Sequence, residues 1–179
     1  EAIKMAPLIK EMSKSDKLES RVCVTGQHRE MLGQVLDLFE IKPEYNLDVM
    51  EPSQSLASLT ASMLRKLDYV YNDFKPDLVL VHGDTSSTLA GCLSAYYEKV
   101  PVGHVEAGLR TGNLYSPWPE EGNRKIVGAI SHVHFAPTAA AAQNLSDEGV
   151  NKKSVHITGN TVIDALLWTK NKIDCYQND

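Results

Sequence analysis

The chain has 179 residues, enough for one domain with a sizeable core. Eighteen Lys and Arg against 23 Asp and Glu leave a net charge of −5, which argues against a general nucleic-acid surface while leaving room for a local cationic pocket. Cys23, Cys92 and Cys175 form no CxxC pair, and Cys23 and Cys92 sit in apolar runs, so buried thiols in a reducing cytosol are expected. No apolar stretch has the length of a membrane span, and no signal peptide is read at the start.

The chain opens in helical pattern at Glu1 to Lys10, with Pro7 early enough to be tolerated. A helix that opens a chain usually follows something, so a strand and turn before Glu1 are expected. Arg21 to Thr25 reads as a short strand and Arg29 to Phe39 as an amphipathic helix, with Met31, Leu32, Val35, Leu36 and Phe39 at helical spacing. Pro43 to Ser55 reads as a polar connection. Leu56 to Phe74 is a long helix with Leu56, Leu59, Met63, Leu67 and Val70 on one stripe. The continuous apolar run Leu78 to Val81 predicts a buried strand. Asp84 suits the N-cap of a helix from Thr85 to Tyr97. Then follow a strand at Pro101 to Val105, a helix at Glu120 to Ser131, a strand at Val133 to Ala136 and a helix at Thr138 to Asp147. Last come a strand at Val155 to Thr158 and a helix at Val162 to Asn171, with Asn160 as its cap. Strands alternating with helices predict an α/β fold: a parallel sheet of right-handed βαβ units.

Three polar segments stand where strands end or helices begin. They run from His82 to Thr88, from Gly103 to Gly112, and from Ser116 to Arg124. Ligands of open α/β sheets bind outside the carboxyl ends of the strands. The segments bring Asp84, Glu106 and Glu120, with Arg110 and Arg124, to one such rim, which suits acid–base work on a polar, anionic substrate. Each residue also has a plainer reading. Asp84 could only cap a helix, and Glu120 suits a helix N-terminus on electrostatic grounds alone. Lys4 alone reads as an exposed helix residue, and His28 as a turn residue. Glu106 follows a strand with no capping task, and Gly108 and Gly112 flank Arg110 in a loop that must approach something closely. The shared rim is what separate capping roles leave unexplained.

Familiar nucleotide fingerprints are missing. The sequence holds no GxGxxG, no GxxxxGK[ST] and no GxSxG. His132 and His134 are two apart on a predicted strand and would point the same way. A metal pair is one reading, but no third ligand stands nearby, and a partly exposed structural pair explains them more simply.

The motifs in order resemble the N-terminal domain of the non-hydrolysing bacterial UDP-N-acetylglucosamine 2-epimerases. The resemblance runs from Glu1 to about Lys170 and is carried by Glu1-Ala2-Ile3-Lys4-Met5-Ala6-Pro7, Thr25-Gly26-Gln27-His28-Arg29, Val81-His82-Gly83-Asp84-Thr85, Gly103 to Thr111, Ser116-Pro117-Trp118-Pro119-Glu120-Glu121 and Ile157-Thr158-Gly159-Asn160-Thr161. It implies a Rossmann-like parallel sheet flanked by helices, the N-terminal half of a GT-B-like two-domain enzyme. Residues 1–170 would form that domain and 171–179 a tail. The family's first strand, its Gly-Thr-Arg-Pro turn and its second domain are expected to be missing from this chain, so the chain alone is expected to be inactive.

The resemblance implies interconversion of UDP-N-acetylglucosamine and UDP-N-acetylmannosamine by elimination and re-addition of UDP, in the cytoplasm, as precursor supply for cell-surface polysaccharide. A homodimer is implied, with no redox cofactor, metal, nucleic acid or membrane partner. Asp84, Glu106 and Glu120 match the catalytic carboxylates. Lys4, Asp84 and Glu106 match substrate contacts, and Gln27, His28 and Arg110 are further candidates. Two other readings stay open: a hydrolysing 2-epimerase that releases free sugar, and a non-catalytic nucleotide-sugar-binding module.

Overall fold

The computed structural model describes residues 1–26 and 29–176. Its helices and strands begin with α1 (Ala2–Met12), β1 (Cys23–Val24), α2 (Arg29–Leu38), β2 (Tyr45–Asn46) and α3 (Leu56–Phe74). They continue through β3 (Val79–His82), α4 (Ser86–Tyr97), β4 (Val102–Val105), α5 (Glu120–Ile130), β5 (Val133–Ala136), α6 (Ala139–Asp147), β6 (Val155–Ile157) and α7 (Val162–Tyr176). The chain divides into two compact units, residues 1–46 with those from 160 onward, and residues 47–159.

In the first unit β1 pairs with β2 in parallel, Cys23 opposite Tyr45. β2 lies in the segment expected to be a polar connection. A two-residue strand is too short to show an alternating pattern. Ala6, Phe39, Ile41 and Ala165 form a small core joining α1, the end of α2 and α7. Trp168 stacks on Phe39 at 4.6 Å between centroids, and Lys10 and Lys172 lie over its ring at 5.9 and 5.0 Å. The ammonium heads thus lie over the face of the ring, where its quadrupole attracts them. Lys172 also reaches Glu40 and the Leu38 carbonyl, so α7 is tied to the end of α2. α7 continues to Tyr176, into the segment expected to be tail.

The second unit is built on a four-stranded parallel sheet, β3-β4-β5-β6, with a helix between each successive pair of strands. Parallel neighbours need such crossovers. The strand ends are in register, His82 opposite Val105 and His104 opposite His134. All four residues of β4 are buried, as the centre of a covered parallel sheet requires. A Cβ on Gly103 would come 2.7 Å from Leu80 Cδ2 and 3.2 Å from Phe135 Cε2, so a larger residue here requires Leu80 to move. α3 buries Leu59, Met63, Leu67, Val70 and Tyr71, and the Tyr71 hydroxyl donates to the Gly91 carbonyl of α4 at 3.0 Å. Leu56, expected on that core stripe, is instead partly exposed and lines a groove. α3 and α6 carry side-chain caps from Ser55 and Thr138, each stabilising by about 1 kcal/mol. The expected Rossmann-like parallel sheet flanked by helices is thus present, and no described helix is long and apolar enough to cross a membrane.

Candidate functional site

β3 delivers the first carboxylate. Gly83 turns the chain at φ 69, and its N–H donates to the Val105 carbonyl at 3.0 Å. Asp84 follows, but it is not the cap of α4. Thr85 takes that position and accepts from the Thr88 N–H. The Asp84 carboxylate instead receives Arg124 of α5, whose Nε and Nη2 lie 2.8 and 2.6 Å from Oδ2. Asn123 Nδ2 donates to the Asp84 main-chain oxygen at 2.8 Å. The capping reading of Asp84 therefore falls, because its neighbour does that work.

β4 delivers the second. Glu106 adopts φ 61, the left-handed region that a residue with a Cβ enters at a cost of about 1–3 kcal/mol. Its side chain is nearly buried, with Oε2 3.9 Å from Nε2 of the buried His82. Strain of this kind persists only where the surroundings over-determine it. Gly108, at φ 86, packs so closely on α6 that a Cβ would strike the Ala141 carbonyl. The loop is held against α6 a second time by Asn144, which donates to the Gly108 carbonyl.

The third, Glu120, begins α5. Its Oε2 is buried and, among the described residues, has no hydrogen-bond partner. A buried acceptor left unmet is costly unless a ligand completes it. Glu120 lies four residues before Arg124, one turn away on the same helix face. Arg124 thus links Asp84 to the face of α5 that carries Glu120.

Sequence reasoning missed Glu121. It is fully buried and accepts from the Thr111 and Gly112 N–H groups through Oε1, both at 3.1 Å, and from Arg124 Nη1 through Oε2 at 2.9 Å. Burial alone would push this carboxyl up. The Arg124 bond and the two N–H groups outweigh burial and hold it below the usual carboxylate range. The available signal was its spacing: Glu121 shares a helical stripe with the buried Gly128, seven residues on.

Arg110 lies in the same unit but is taken up elsewhere. Its Nε and Nη2 pair with Glu148 of the α6 C-terminus at 2.9 and 2.6 Å, so a ligand would compete with that bidentate pair. Arg110, with Lys125, holds the Glu148 carboxyl down at about 2 against the cost of its burial. Lys4 is on α1 in the first unit. Gln27 and His28 lie outside the described residues.

Under the rim, His104 and His134 are buried opposite each other. His104 Nε2 lies 2.7 Å from the Gly83 carbonyl and must donate, which sets its tautomer. Burial pushes His104 down to about 4, and burial also lowers His134. His134 is therefore a neutral core residue, whereas His132 is exposed and its Nδ1 accepts from the Val102 N–H. Among the described residues no group of three potential ligands could hold a metal ion. Beside the rim an open, mainly apolar groove of about 410 Å³ is lined by Leu56, Thr60 and Leu64 of α3, Leu89 of α4, and Pro119 and Asn123.

A parallel sheet with carboxylates clustered beyond β3 and β4 defines a Rossmann-like α/β protein with its candidate site at the strand ends. The family model for UDP-N-acetylglucosamine 2-epimerase matches residues 10–179, and the chain belongs to that family. It is 57% identical over 173 residues to a UDP-N-acetylglucosamine 2-epimerase of Yersinia pestis, covering 97% of this chain and 46% of that protein. The crystal structure of the UDP-GlcNAc 2-epimerase of Neisseria meningitidis bound to UDP-GlcNAc superposes with a TM-score of 0.95 at 55% identity, over 99% of this chain and 48% of that one. A Staphylococcus aureus protein solved with UDP gives 0.91 at 54% identity, over 94% of this chain and 44% of that one. The chain spans about half the length of the curated relatives it matches.

Proposed function

We propose that the complete protein interconverts UDP-N-acetylglucosamine and UDP-N-acetylmannosamine without hydrolysing them, and that residues 1–170 form the N-terminal domain of its GT-B-like architecture. The observation that carries the site is Glu106, held in a strained conformation at the end of β4 and adjoining the strand end that presents Asp84. Relatives named UDP-N-acetylglucosamine 2-epimerase, one of them solved with UDP-GlcNAc bound, support the substrate.

The chemistry accounts for the carboxylates. C2 of the sugar has no carbonyl neighbour, so its proton is not acidic in the ground state. Departure of UDP from C1 develops positive charge there and acidifies C2–H. Loss of the proton gives 2-acetamidoglucal and UDP. Return of UDP to C1, with a proton delivered to the opposite face of C2, gives the epimer. Removal and return on opposite faces need more than one acid–base group, and anionic side chains stabilise the charge at C1. We assign Asp84 and Glu106 to the sugar and Glu120 to proton transfer. Lys4 offsets diphosphate charge, and Gln27 and His28 contribute further substrate contacts, whereas Arg110, a candidate from the sequence, stays paired with Glu148. Nothing is oxidised overall, so the reaction needs no redox cofactor. We further propose that the protein is a cytoplasmic homodimer supplying polysaccharide precursors, and that residues 1–179 alone do not turn over, since the relatives are twice as long.

The test is incubation of the complete protein with UDP-N-acetylglucosamine in deuterated water, followed by NMR. Deuterium at C2 of both UDP-sugars, with UDP retained, is the expected result. Net release of free N-acetylmannosamine supports the hydrolysing reading, and binding without deuterium incorporation supports a non-catalytic module.

A further inference from the structure

We infer that Glu121, acting through Arg124, is a positioning residue that sets the Asp84 carboxylate and the turn after the Glu106 loop in one frame. The inference rests on the epimerase reading above.

Two other segments, the 111–112 turn and Asp84 beyond β3, meet on this pair of α5 residues. Glu121 spends one oxygen on the N–H groups of Thr111 and Gly112, and the other on Arg124. Arg124 spends Nη1 on Glu121, and Nε and Nη2 on Asp84 Oδ2. Asn123 takes the Asp84 main-chain oxygen, so α5 grips Asp84 by backbone and side chain together. Among the described residues, Oδ1 of Asp84 makes no hydrogen bond. Two N–H groups on one oxygen fix the rotation of the carboxylate and leave the other oxygen for a ligand. Without Glu121, Arg124 would lose the anchor that holds its fork in plane, and the 111–112 turn would lose its only side-chain acceptor among the described residues.

A buried carboxylate is an expensive way merely to fill space. Amide groups meet backbone N–H donors at far lower desolvation cost, but they cannot orient a guanidinium from the opposite side. The charge therefore points to the geometry of Arg124 and, through it, of Asp84. Misplacing a reacting group by about 1 Å costs roughly 10²-fold in rate.

The test uses the complete protein and C2 deuterium incorporation. Glu121→Gln should lower kcat by roughly 10²-fold, with KM changed only a few-fold and cooperative unfolding retained above the assay temperature. In an Asp84→Asn background the same substitution should cost far less, because the ion pair through which Glu121 positions Asp84 is already lost. A purely structural Glu121 would give the same loss in both backgrounds, and that result overturns the inference, as does wild-type kcat in Glu121→Gln. Should Glu121→Gln fail to fold, Arg124→Lys decides. It keeps the charge and loses the fork, so a large drop in kcat supports the role and full kcat overturns it. Wild-type protein that folds but incorporates no deuterium overturns the epimerase reading and the inference together, whereas an active wild type with an indifferent Glu121→Gln overturns the inference alone.

Discussion

Arg124 and Arg110 both fork onto carboxylates in the same unit, yet the two clusters end with opposite charge. Around Arg124 one guanidinium serves two carboxylates, Asp84 and the fully buried Glu121. Around Arg110 one carboxylate, Glu148, serves two cations, Arg110 and Lys125. The first cluster keeps a surplus negative charge at the strand ends, where the cation-like transition state of the proposed reaction would need it. The second keeps a surplus positive charge, and Arg110 adds to the burial that holds His104 and His134 neutral. The same ion-pair chemistry thus prepares a site in one place and supports the core in the other.

The strongest way to break this contrast is to neutralise one carboxylate in each cluster of the complete protein. Asp84→Asn should lower turnover by roughly 10²–10⁴-fold with little change in melting temperature. Glu148→Gln should leave turnover within a few-fold. Loss of turnover in Glu148→Gln would return Arg110 to the substrate and erase the distinction.

Acid should act first on the histidines beneath the rim. The His104 value falls from 6.5 to about 4 on folding, so the unfolded chain binds more protons between these limits. Stability is then complete above pH 6.5 and is lost as pH falls toward 4, by about 3 kcal/mol for His104. Urea unfolding of wild type and His104→Asn at pH 7 and pH 5 checks this. The variant should lose less stability between the two, and an equal loss refutes a buried neutral His104.

Glu148 titrates lower. Its folded value of about 2 lies below the ordinary 4.5, so its contribution is present above pH 4.5 and lost on acidification toward 2. The carboxylate is partly exposed, and after allowance for screening Glu148→Gln should cost about 1 kcal/mol at pH 7. Urea titration at pH 7 measures it, and high salt should shrink the difference. The smallest effect concerns the cap: Thr85→Ala should cost about 1 kcal/mol in a thermal melt and leave turnover near wild type, the mirror image of Asp84→Asn.

Much of this was readable in the chain. α3 and β5 fall where periodicity and apolar runs place them, and Asp84, Glu106 and Glu120 are visible because each follows a strand or opens a helix. What stayed hidden depended on partners distant in sequence. Asp84 and Thr85 are adjacent and both suit an N-cap, and only the position of Arg124, forty residues on, decides between them. Glu120 and Glu121 look alike as a pair, but neighbours on a helix face different directions, so one carboxylate has a buried oxygen without a partner and the other is enclosed by N–H donors.

The two tryptophans fall one to each unit, Trp168 stacked on Phe39 in the first and Trp118 exposed beside Glu120 in the second. Fluorescence can therefore follow the units separately. Within residues 1–179, Trp118→Phe removes the emission of the loop before α5, and Trp168→Phe removes that of the aromatic stack, which should shift to the red as the first unit unfolds. Difference spectra between each variant and the parent would thus give each unit its own optical signal.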